Sequence, residues 1–94
     1  MLPLKAGILD YAIDHQGETF TIKDIIQGLE ALYKNEKQLN EKRVGEYCAD
    51  FLQNNFFEKV NVEITNKGDV IMTYKVTDYA VERGNRFIPS RRKA

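Results

Sequence analysis

Ninety-four residues, 43% hydrophobic and 30% charged, hold enough apolar material for one modest core and too much for a disordered chain. Formal net charge is zero but unevenly spread: residues 1–82 carry nine basic and fourteen acidic side chains, and residues 83–94 carry five basic ones and no acid. No apolar run approaches the ~18 residues that span a bilayer, Met1-Leu2-Pro3-Leu4-Lys5 lacks the pattern of a signal peptide, and one cysteine with one histidine excludes an internal disulfide and a typical zinc site.

The spacing predicts a first helix from Leu4 to His15, with Leu4, Ile8, Tyr11 and Ala12 on one stripe and Leu9 and Ile13 widening it. Pro3 suits its start and Gly17 its left-handed stop. His15 falls in the last turn, where a cation suits the helix dipole. A second helix opens at Thr21. Thr21 and Asp24 form a variant capping box, and Phe20 and Ile25 occupy the staple positions. Its apolar stripe, Ile22, Ile25, Ile26, Leu29, Leu32 and Tyr33, extends to the polar run 34–38 that ends it. The third helix opens at Asn40, a strong N-cap, with Leu39 and Val44 repeating the staple. Val44, Tyr47, Cys48, Phe51 and Leu52 share its inner face, so Cys48 reads as a small core hydrophobe. Asn54-Asn55 ends this helix.

A hairpin follows. Val60, Val62 and Ile64 alternate with polar residues, as do Val70, Met72, Tyr74 and Val76 on the return strand, apart from Ile71. Directly paired residues share a face. A two-residue loop at Lys67-Gly68 would set Val62 against Thr73 and split the apolar face. A three-residue loop, Asn66-Lys67-Gly68, pairs Ile64 with Val70, Val62 with Met72 and Val60 with Tyr74, and puts Gly68 at the left-handed position. One face should then pack on the body while the other meets solvent. Thr77 caps a short helix over Asp78 to Arg83, with Gly84 as its stop; Phe87-Ile88-Pro89 is an apolar clip before a polar, basic end.

The expected class is thus α+β: three core helices, a two-stranded hairpin, a short helix and a tail. This order resembles the winged helix-turn-helix superfamily over most of the chain, Leu4 to Gly84. Phe20-Thr21-Ile22-Lys23-Asp24-Ile25 is similar to the segment that leads into the positioning helix, and Asn40-Glu41-Lys42-Arg43-Val44 to the start of a recognition helix. Tyr74-Lys75-Val76-Thr77 followed by Gly84 is similar to the Y-x-L-T-x-x-G ending behind the wing of many bacterial regulators, with Val for Leu and the glycine later. The resemblance implies a winged-helix domain over residues 1–84, a basic tail over 85–94, and double-stranded DNA as partner.

No phosphate-binding glycine loop, zinc spacing or nucleophile with a histidine base is present, and the only serine is Ser90; the expected protein is no enzyme and uses no cofactor or metal. The expected setting is the reducing cytoplasm, without a membrane partner. DNA binding needs cations that reach phosphates. Lys42 and Arg43 head the recognition helix, with Arg43 the best base-contact candidate, while Glu41, Glu46 and Asp50 oppose deep entry into the major groove. Lys67 sits at the wing apex beside Asn66, and Lys75 lies on the hairpin's outer face. Arg86, Arg91, Arg92 and Lys93 read as an arm for a narrow minor groove. Regulation of transcription or an accessory part in plasmid replication or conjugative transfer fits this reading, with dimerisation on adjacent DNA sites. The alternative is a protein-interaction module that uses the acidic face at Glu46 and Asp50, with Phe56 and Phe57 divided between a dimer seam and the core, at least one of them expected in the core.

Overall fold

A computed structural model describes residues 2–91. The element order is α1 (Leu4–Asp14), α2 (Ile22–Leu29), α3 (Glu41–Gln53), β1 (Phe57–Ile64), β2 (Val70–Val76), α4 (Asp78–Phe87) and a single 3-10 turn, η1 (Pro89–Arg91). The class is α+β, with one antiparallel two-stranded sheet.

Local chemistry sets most helix starts. The Thr21 hydroxyl accepts from the Asp24 N–H at 3.2 Å and the Asp24 carboxylate accepts from the Thr21 N–H at 2.9 Å, a complete capping box. Asn40 accepts from the Arg43 N–H at 2.8 Å, and Thr77 accepts from the Ala80 N–H at 3.1 Å. Pro3 precedes α1 without a side-chain cap. At the other end His15 caps α1 and Gly17 takes the left-handed φ of 87°. The His15 Nδ1 lies 2.8 Å from the Tyr11 carbonyl and its ring stacks on Tyr11.

Four expectations are corrected. First, α2 does not reach Tyr33. It stops at Leu29, whose carbonyl accepts from both Leu32 and Tyr33, and the chain continues in turns. The reason is the destination of Tyr33: its hydroxyl donates to the Leu2 carbonyl at 2.7 Å and its ring lies over Gly7, where a Cβ would collide with it. Leu32, assigned to the stripe by spacing, is exposed.

Second, the hairpin carries a β-bulge. Ile64 pairs with Val70 and Val62 with Met72 as expected, and Gly68 is left-handed at φ 86°. Between Lys59 and Asn61 the register then shifts, so Lys59 rather than Val60 faces Tyr74. A one-residue slip moves every side chain beyond it to the other face. Had the outer register continued unshifted, Glu58 would pair with Val76 on the core side; with the shift Phe57 does, and Phe57 is 2% exposed.

Third, the hairpin does not lie on the body with one whole face. Only Phe57, Tyr74 and Val76 of its strands are buried. Val60, Val62, Ile64, Val70 and Ile71 are exposed.

Fourth, Gly84 does not stop the last helix. α4 runs on to Phe87, across the expected domain boundary at residue 84. Gly84 is buried where α4 crosses α1, and a Cβ there would strike the Ile13 side chain. Its job is close approach, not termination. Ile88 beyond it is buried against the body, as the apolar clip requires, whereas Phe87 is exposed.

The core joins Ile8, Ala12, Ile25, Val44 and Cys48 to an aromatic cluster of Phe20, Phe51, Phe57 and Tyr74. Phe20 also exchanges two backbone bonds with Tyr74, a one-residue bridge that ties the chain before α2 to β2. No helix among the described residues is long and apolar enough to cross a membrane.

Candidate nucleic-acid interface

The α2 cap, the first turn of α3 and the hairpin meet around one open cleft of about 360 Å³. Thr21, Ile22 and Lys23 form the α2 wall, Glu41 the α3 corner, and Thr65 with Asp69 to Met72 the hairpin wall. The Phe20–Tyr74 bridge and the aromatic cluster hold the hairpin base in this place. Lys42 follows the α3 corner, and Lys67 lies between the two hairpin-wall residues Thr65 and Asp69, with Asn66 beside it. Both lysines are exposed, and neither forms an ion pair among the described residues.

The arginines are placed differently. Arg43 donates to Glu46 at 2.9 Å and to Gln38 at 3.3 Å, and its guanidinium stacks 4.6 Å from the Tyr47 ring centroid. The bonds to Glu46 and Tyr47 push its pKa up from the usual value. Arg86 pairs with Glu82 at 2.6 Å, one turn back on α4. Arg91 folds onto α1: it bonds to both the Asp10 and Asp14 carboxylates, and also to the Asp10 carbonyl at 3.0 Å. Burial works to lower the Arg91 pKa, but its bonds to Asp14 and Asp10 outweigh that and raise it. Arg91 is therefore a clamp in the described structure rather than a loose arm. Arg92 and Lys93 lie outside the described residues. Lys75 is half-buried and stands opposite Glu58 in the sheet, so an acid neighbours it.

Of the three acids counted against α3, two are partnered and Glu41, at the cleft, forms no ion pair among the described residues. Glu46 holds Arg43, and Asp50 holds Lys5 at 3.3 Å. Lys5 is 45 residues distant, so no local pattern could have found that pair. Lys23 is a second cation that the sequence reading passed over; its signal was its place in the first turn of α2. Of the two aromatics divided between core and dimer seam, Phe57 belongs to the core, and half-buried Phe56 stacks on Phe51.

Cys48 is wholly buried, and burial raises its pKa from 9.0 to about 12. A thiol so protonated is inert. No cluster of three or more His, Cys, Asp or Glu that could hold a metal ion occurs among the described residues. What the arrangement offers chemically is three exposed cations, Lys23, Lys42 and Lys67, and two carboxylates, Glu41 and Asp69, around two capped helix starts. Comparison of the chain with protein-family models, curated proteins and solved structures gave no match.

Proposed function

We propose that this chain is a winged helix-turn-helix domain that binds double-stranded DNA without chemistry on it, in transcriptional regulation or at a plasmid replication or transfer origin. The first turn of α3 and the hairpin tip make the contacts. One observation carries the reading: the starts of α2 and α3 and the tip of the hairpin border a single cleft, with Lys42 and Lys67 beside it and unneutralised. The ion pairs on α3 support it too. Exposed pairs are weak, so a phosphate can take Arg43 from Glu46 at little cost. The Arg91 clamp moves weight away from the tail and onto the helix and wing.

Fluorescence anisotropy with a short mixed-sequence duplex tests this. Binding is expected at low salt, with log K falling linearly against log salt. Lys42→Ala and Lys67→Ala should each lower that slope by about 1. Absence of binding at low salt would overturn the reading. The second reading, a protein-binding module, draws on a different observation, the exposed apolar hairpin.

A further inference from the structure

Beyond Tyr74 the hairpin is a two-stranded ribbon that leaves the body. Both backbone bonds of Tyr74 on that side go to Phe20, at 2.9 and 2.8 Å. Peptide groups along a strand alternate between its two edges. Those of Met72 and Val70 therefore point to the same side as Tyr74's, beyond the bridge that Phe20 supplies. On the face continuous with the core, the cross-strand pairs Val62–Met72 and Ile64–Val70 make an apolar tile. Ile64 is 70% and Val70 62% exposed. A two-stranded ribbon is marginal alone in water, and an open apolar edge is a template for another chain.

We propose that this tile, with the cleft it borders, is a homodimer surface covered by the same surface of a second copy. Charge identifies the occupant. The tile itself carries no charge, because Glu63, paired with Ile71, and Glu58, paired with Lys75, lie on the opposite face of the ribbon. Such a surface meets its own copy without repulsion and gives a highly charged partner no advantage. Inside the cleft, Lys23 stands on the helix wall and Asp69 on the hairpin wall. Neither has an ion-pair partner among the described residues. A two-fold axis makes every contact reciprocal, so one Lys23–Asp69 pair between copies implies two.

Area sets the strength. Covering Val62, Ile64, Val70 and Met72 removes on the order of 400 Å² per chain, about half the ~800 Å² per partner of a standard complex. The dimer is weak and exchanges rapidly. Lys42 and Lys67 lie beside this cleft without lining it, so a second copy and a duplex compete for it; the dimer is measured without nucleic acid, which keeps its failure distinguishable from failure of the DNA reading.

The test is sedimentation velocity of the full chain from roughly 10 µM to 1 mM. The weight-average mass should climb towards twice the monomer. Ile64→Lys, at a position outside the core, should weaken association about tenfold or more while thermal melting stays that of the parent. Lys23→Glu and Asp69→Lys should each weaken it about threefold, and the double variant should recover most of the loss. A monomer throughout, association indifferent to Ile64→Lys, or a double variant no better than the singles would overturn the proposal.

Discussion

Cys48 and Tyr74 sit in the core without a charge to favour their ionised forms, and burial holds both near pKa 12, from ordinary values of 9.0 and 10.0. Each is neutral when protonated, so the folded chain keeps protons that the unfolded chain gives up. Their contribution to stability is then full below about pH 9 and is lost as pH rises from there towards 12. Denaturant melts across that range should show the decline, and the Cys48 thiol should react with a disulfide reagent at the rate of unfolding; rapid labelling of the native protein would contradict this. Arg91 has the opposite character. Its side chain is mostly enclosed between Asp10 and Asp14. Arg91→Ala leaves those two carboxylates one helical turn apart without their cation and should cost about 1–2 kcal/mol of stability. Duplex affinity should change much less than in Lys67→Ala, because Arg91 already serves the chain's own acids.

Elements differ in how much of them is local. The caps at Thr21, Asn40 and Thr77 are decided by side chains three residues from the groups they satisfy, and all three were readable from spacing. The hairpin loop was readable for the same reason, since Gly68 and the two outer apolar pairs agree on one register. What escaped depends on distant partners. The end of α2 is set by the reach of Tyr33 to Leu2, and the length of α4 by the fit of Gly84 against Ile13. The bulge at Val60 answers to the core's need for Phe57, which alternation in the outer strand does not reveal. Its importance can be measured. Phe57→Ala empties the core position that the shift fills and should cost about 3 kcal/mol or more. A urea melt unchanged by the substitution would show that the register shift carries no such load. For the candidate site the same division holds: Lys42 and Lys67 were visible as residues, but the ties of Arg43, Arg86 and Arg91 to acids were visible only in part. Glu82 and Glu46 are close in sequence, whereas Asp10 and Asp14 meet Arg91 across the whole chain.

The molecule as a whole combines a body of balanced charge, in which five of eleven acids are ion-paired among the described residues, with a protruding hairpin of zero net charge. Its attraction to a polyanion is consequently local rather than a field over the whole surface. Affinity should be modest for one copy, steeply salt-dependent, and strengthened where two copies lie side by side on a duplex. The same economy explains why the C-terminal basic run need not act as a unit: its first member in the described chain after α4, Arg91, is committed to α1. The most direct test is amide chemical-shift mapping of the intact chain as a short duplex is added at low salt. The proposed mode places the largest changes at residues 41–43 and 66–68, with η1 nearly silent. Changes centred on α1 and η1, or none at any duplex concentration, would contradict it.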